Sequence, residues 1–253
     1  MSQAAPISPS LPPSDDRGSA TERYHDWAAL LALALLFGVM LVATWQRWTH
    51  PIVDHGREMN VPLRLLDGER LYLDITYHYG PFAAHVNALL YRVFGVHLST
   101  LHAAGLVCAV VILLMTYWLA RRVLSPWEAA LSTALVMITC ALSAAMGSYV
   151  QPYAYAAVYG WTFVLAALVC SARYVTSCRN TSMWWAGVWI GATVTCKPEL
   201  GVLASAPLGV AWLLASLSER RWLWRPLGLA AVPALAIALI AYAPLMVTGA
   251  AQM

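Results

Sequence analysis

The residues able to do chemistry are concentrated in one stretch. Between His50 and Thr100 lie Asp54, Glu58, Asp67, Glu69 and Asp74, together with His50, His55, His78, His85 and His97. That is five of the twelve acidic residues and five of the seven histidines. A plain connector between two helices needs only a handful of residues. A loop of this length, loaded with groups that trade protons, is more often functional, because loops held on a rigid scaffold tend to carry function. The bland alternative is a structured cap on the rest of the chain. A second concentration is Lys197, the single lysine, set beside Glu199 in apolar surroundings. Ionisable groups in such a setting are expensive and therefore informative. Two readings stand level: a contact to a phosphate or carboxylate, or a self-neutralising Lys–Glu pair at a helix end, with a snorkelling lysine as its variant. The tyrosines of Gln151-Pro152-Tyr153-Ala154-Tyr155 either line a site or belong to an interfacial aromatic belt, the commoner case.

Composition fixes what must position these groups. Hydrophobic residues make up 60% of the chain and charged residues 11%, against about 25% charged in soluble domains. The bilayer must solvate most of this surface, and a spanning helix needs about 20 apolar residues. Trp27–Trp45, Leu101–Ala120, Pro126–Ala145, Tyr153–Cys170 and Leu227–Val247 qualify. Met183–Leu217 reads as two further helices meeting at Lys197-Pro198-Glu199. The expected fold is therefore an all-α, polytopic transmembrane bundle of about seven spans, running over residues 25–253. Residues 46–100 form a long first loop with short interfacial helices. Within that loop, Glu58–Leu66 reads as an amphipathic helix with Met59, Leu63 and Leu66 on one face. Leu71–Ile75 is extended or irregular, Gly80-Pro81 is a break, and Pro81–Gly95 is apolar but short, as interfacial or re-entrant pieces are.

Arginines orient the bundle. With the N-terminus in the cytoplasm, inner segments carry Arg17, Arg23, Arg121, Arg122, Arg173, Arg179, Arg220, Arg221 and Arg225, and the short outer loops carry only Lys197. The net charge of +3 reports this topology and calls for no nucleic acid. Residues 1–24, rich in Ser, Pro and Ala, are expected to be a disordered cytoplasmic tail and not a cleaved secretory signal. Ser125-Pro126-Trp127-Glu128 is a capping box with proline at the first helical position, and Glu128 is assigned no chemistry. The five cysteines are scattered without metal-ligand spacing.

A first span, a long polar loop with an early aspartate, interfacial helices and then a many-span bundle resemble the GT-C superfamily of polyprenyl-phosphate-sugar glycosyltransferases. The closest likeness is to its family-39-like branch, relatives of the protein O-mannosyltransferases and the lipid A aminoarabinose transferases. The stretches that carry the likeness are Asp54-x-Gly56-Arg57-Glu58, Leu66-Asp67-Gly68-Glu69-x-Leu71-Tyr72-x-Asp74-Ile75, Tyr79-Gly80-Pro81, Pro152-Tyr153-Ala154-Tyr155 and Lys197-Pro198-Glu199. The mannosyltransferases carry adjacent Asp-Glu in this loop, whereas here Asp54 is followed by His55.

The resemblance implies inverting transfer of a sugar from a polyprenyl phosphate to a hydroxyl acceptor at the outer face of a bacterial plasma membrane. It implies Asp54 as general base, with Glu58 assisting it or orienting Arg57. Arg57 would hold the phosphate bidentately and Lys197 would add a point charge. His55, Tyr79, Tyr153 and Glu199 complete the expected substrate-binding set. No cofactor is required with certainty, although the carboxylates are compatible with a divalent metal. The superfamily's members have more spans, so the chain also reads as a shortened form whose partner would be a second membrane chain completing the fold. The competing readings are a non-catalytic membrane subunit and a transporter. A transporter usually places ionisable groups near the midplane of interrupted helices, whereas these spans are nearly free of charge.

Overall fold

The computed structural model of the protein describes residues 20–45, 47, 54–143, 148–220 and 222–250, without the side chains of 20, 21, 54 and 244–250. The described chain is all-α. α1 covers Ala20–Thr44, α2 Asp54–Leu66, α3 Pro81–Phe94, α4 Leu98–Ala120 and α5 Pro126–Val136, which continues into a π-helical turn at Met137–Ala141. α6 covers Tyr155–Ser177, α7 Asn180–Cys196, α8 Pro198–Ser218 and α9 Trp224–Ala250. α1, α4, α6, α8 and α9 are long and apolar enough to cross a membrane. α7, with 17 residues, and the shorter apolar helix Pro126–Ala141 occupy the places of the other two expected spans. α1 already begins at Ala20, inside the segment expected to be tail; residues 1–19 lie outside the described residues.

Local sequence explains the breaks. Pro198 lacks an N–H and disfavours helical geometry in the residue before it, and Lys197 accordingly sits extended at φ −146°, ψ 108° between α7 and α8. The capping box at α5 forms as expected, with the Ser125 N–H donating to Glu128 Oε2 at 2.9 Å.

Lipid, not water, is the medium that suits the outer faces. On α1 alone, Leu31, Leu35, Val39 and Val42 are 61–80% exposed. Helices in such a medium associate through close packing of small residues. Gly187 and Gly191 of α7, spaced four apart, lie against Ala230 and Ala234 of α9; a Cβ on Gly187 would stand 2.0 Å from the Ala230 carbonyl oxygen. On α4, Gly105 admits the Tyr149 and Val150 backbone in the same way. At the opposite end of the bundle from Lys197, Asp26 of α1 receives Arg121 Nε at 2.6 Å and the Tyr117 hydroxyl at 2.8 Å, which ties α1 to α4.

α2 differs from expectation in length and in its buried side. It starts a turn earlier, at Asp54, and the buried residues are His55, Glu58, Val61 and Pro62. Leu63 and Leu66 are 36% and 37% exposed. The polar residues turn inward because partners await them there. α3 buries Ala83, Ala84, Asn87, Ala88 and Tyr91 and leaves Leu89, Val93 and Phe94 exposed, so both of its sides are apolar, as suits a helix lying in the interface.

Candidate active site at the loop-one end of the bundle

Loop one is fastened to the bundle at two points. At the first, α2 docks on the segment leading into α6. Glu58, only 3% exposed, accepts the Tyr155 N–H on Oε2 at 3.0 Å. It thereby satisfies a backbone donor at the start of α6 that has no partner within the helix. The His55 Nε2 donates to the Gln151 carbonyl at 3.1 Å, and the His102 Nε2 of α4 meets Gln151 Oε1 at 3.1 Å. A carbonyl oxygen only accepts, so His55 carries its proton on Nε2. At the second point, the Gly80 N–H donates to the Cys196 carbonyl at 2.8 Å. A Cβ on Gly80 would lie 2.1 Å from the Thr195 carbonyl oxygen, so only glycine permits this approach of loop one to the end of α7.

Those two anchors bring two cations to one aromatic ring. The Arg57 guanidinium lies 5.4 Å from the Tyr79 ring centre and Lys197 Nζ lies 5.2 Å from the same centre, within the range of cation–π attraction. The cations are therefore no further apart than the sum of those distances. Lys197 Nζ also lies 6.0 Å from the Tyr153 ring and 3.1 Å from Glu199 Oε1. Arg57 Nε stands 3.6 Å from Glu58 Oε1, an ion pair with one deeply buried partner. Burial works against the Lys197 ammonium, but hydrogen bonding to Glu199, with the nearby Tyr153 and the Glu199 charge, outweighs it and holds the pKa above the usual lysine value.

The expected site residues His55, Arg57, Glu58, Tyr79, Tyr153, Lys197 and Glu199 thus gather at one end of the bundle. Asp54 opens α2 one helical turn before Arg57, and its side chain lies outside the description. The Lys197–Glu199 pair of the blander reading exists; Glu199, 65% exposed, is its outer member. Tyr155, which reads with Tyr153 as either lining a site or belonging to an interfacial belt, is a core residue at 2% exposure whose hydroxyl donates to the Val150 carbonyl. His102 was missed: in the sequence it is one histidine near the start of a span, and nothing there pairs it with Gln151. Among the described residues no three His, Cys, Asp or Glu side chains are grouped to hold a metal ion.

The same end of the bundle holds a mainly apolar cavity of about 820 Å3, walled by Leu71 and Tyr72 of loop one, Pro81, Phe82 and Val86 of α3, and Ile237 and Ile240 of α9. Thr195, the residue against which Gly80 packs, also lines it. Pro81 and Thr195 of its lining are chain neighbours of Gly80 and Cys196, which form the second anchor.

An all-helical multi-pass bundle with a polar loop folded over one end suits a membrane transferase of the GT-C type. The chain belongs to the dolichyl-phosphate-mannose-protein mannosyltransferase family, whose model matches residues 78–247. Membership makes it a membrane glycosyltransferase by family. The matched region contains Tyr79-Gly80-Pro81, Tyr153 and Lys197-Pro198-Glu199 and begins after α2. No curated protein and no solved structure matches the chain.

Proposed function

We propose that the protein transfers a sugar from a polyprenyl-phosphate donor to a hydroxyl acceptor at the non-cytoplasmic face of a bacterial plasma membrane, with inversion at the anomeric carbon. The observation that supports this most is the convergence of Arg57 and Lys197 on Tyr79 at the end of the bundle that also holds an apolar cavity. A lipid phosphate has the same two-part character, an anion joined to a hydrocarbon chain. In this reading the polyprenyl chain occupies the cavity between α3 and α9, and the phosphate lies between the two cations. Asp54 takes the proton of the acceptor hydroxyl as its oxygen attacks the anomeric carbon. The bond from that carbon to the phosphate oxygen breaks, and the leaving polyprenyl phosphate carries the electron pair away. Arg57 and Lys197 stabilise the charge that develops on it. Glu58 acts as a positioning residue: it fixes Arg57 from one side while its other oxygen anchors α6.

The test separates binding from chemistry. Arg57→Ala and Lys197→Ala are each expected to weaken binding of polyprenyl phosphate by about 1.5–3 kcal/mol, as charge-assisted contacts do. The double variant should lose less than the sum, because both side chains hold one phosphate. Asp54→Asn should abolish turnover with donor affinity unchanged. Normal turnover in Asp54→Asn, or strict additivity of the cation variants, would remove these assignments.

A further inference from the structure

The end of the bundle opposite Lys197 holds a second cavity, of about 530 Å3, between the α6–α7 turn and the α8–α9 turn. Beneath it lies Tyr174, wholly buried. Its hydroxyl makes no hydrogen bond to any described residue. Buried hydroxyls are nearly always paired, because an unpaired one forfeits its hydration. Tyr174 itself forms part of the cavity wall, together with Cys178 and Glu219.

The rest of the wall is built for a ligand with two charges. Arg225 contributes a guanidinium and Glu219 a carboxylate, with Asn180, Trp222 and Trp224 completing the lining. A carboxylate has lone pairs for several donors, so Glu219 can serve a neighbour and a ligand together. The indoles are held in place. Trp212, Trp222 and Trp224 form a triangular cluster with ring centres 5.4, 6.0 and 6.1 Å apart. Trp212 Nε1 donates to the Leu223 carbonyl at 2.8 Å, and the Leu223 N–H reaches Ser216 Oγ at 3.3 Å. The outermost indoles, Trp222 and Trp224, are 60% and 66% exposed, as tryptophans at a membrane interface are. Below them the α9 face continues apolar through Val232, Leu235 and Leu239.

We propose that this cavity binds the headgroup of a zwitterionic phospholipid bearing a primary ammonium, as in phosphatidylethanolamine. The phosphate sits on Arg225 and Asn180. The ammonium, with three donors, reaches Glu219, the Tyr174 hydroxyl and an indole face. The acyl chains lie along α9. A purely anionic headgroup would meet the Glu219 carboxylate, and a quaternary ammonium has no N–H to satisfy Tyr174. This site is independent of the donor site at the other end of the molecule.

Native mass spectrometry and thermal melting of the delipidated full chain in detergent test it, with phosphatidylethanolamine, phosphatidylcholine, phosphatidylglycerol and free phosphoethanolamine as probes. One equivalent of phosphatidylethanolamine should bind and raise the melting temperature. The other two lipids should bind about fivefold or more weakly, the loss of one or more hydrogen bonds. Free phosphoethanolamine at the same concentration should give no shift. Tyr174→Phe deletes only the orphan oxygen, so it should raise the melting temperature without lipid yet weaken phosphatidylethanolamine about fivefold. Arg225→Gln should weaken it by roughly tenfold, as the loss of a charge-assisted bond does. Equal binding of all three lipids, with both variants unchanged, would reduce the site to ordinary annular contact. Binding of free phosphoethanolamine as tight as that of the lipid would make it a site for soluble metabolites and overturn the lipid assignment.

Discussion

Lys197 keeps its proton through the balance of two opposed effects, and the balance can be tipped. Burial disfavours the ammonium, while Glu199, helped by Tyr153, favours it and wins. A pKa raised on folding means that the charged contact is present throughout neutral pH and is lost only as pH climbs through the folded-state value. In Glu199→Gln, burial faces weaker opposition and the pKa falls. Binding of polyprenyl phosphate, followed from neutral to alkaline pH, should therefore lose its Lys197-dependent part at lower pH than in the unaltered chain. Arg57 should hold the remainder. An alkaline limb in the same place would separate Lys197 from the phosphate. Single residues were only partly legible in the sequence. The lone lysine signalled itself by rarity, and Arg57 by its place in a recognisable string. Glu58 reads in the sequence as assisting Asp54 or orienting Arg57, and nothing there marks the Tyr155 N–H that it accepts 97 residues later.

At the scale of elements, the close approach of loop one to α7 rests on a missing side chain. Gly80→Ala would place its Cβ 2.1 Å from the Thr195 oxygen and 2.5 Å from the Thr195 carbonyl carbon. Both are backbone atoms, which cannot swing aside, so the loop must lift and the Gly80–Cys196 hydrogen bond must stretch. Overpacking of this kind costs about 1–3 kcal/mol, and the shift moves Tyr79 away from Lys197. A lower melting temperature together with weaker donor binding is the expected pair of effects. Gly38→Ala on α1 is the matched control, because its Cβ would meet nothing within 4 Å. It should be neutral or stabilise by up to about 1 kcal/mol through helix propensity. A Gly80→Ala chain as stable and as competent as the control would show that the loop is not held by this contact. Helix positions were legible because hydropathy and proline are local signals, and the Lys197-Pro198 break fell where proline chemistry requires it. The buried side of α2 was not legible. A periodicity reading sends Leu63 and Leu66 inward, whereas hydrogen-bond partners on another element draw His55 and Glu58 in instead.

The whole molecule is polarised in charge and in chemistry. α2, α3, the start of α6 and Lys197 crowd one end. Arg121, Arg122, Arg173, Arg179, Arg220 and Arg225 lie at or near helix ends on the other. Two of them gather on one indole, Arg122 at 4.2 Å and Arg173 at 5.2 Å from Trp118. Positive charge in short loops favours the cytoplasm, and long loops obey that rule weakly, so the short turns set the expected orientation although loop one carries Arg57, Arg64, Arg70 and Arg92: loop one outside, the arginine-rich turns and the N-terminus inside. The arrangement also gives the proposed reaction a direction, because a lipid-linked donor and its acceptor would have to meet on the loop-one side. Single-cysteine labelling of intact cells with a membrane-impermeant maleimide checks it, in a background whose exposed native Cys178 has been replaced. Ser99→Cys, exposed at the start of α4, should react from outside, and Ser218→Cys, exposed at the end of α8, should react only after the membrane is opened. The two positions lie at opposite ends of the bundle, so inversion would exchange their behaviour completely. Labelling of Ser218→Cys from outside with Ser99→Cys silent would place the Arg57–Lys197 site in the cytoplasm and would require a donor and acceptor available there.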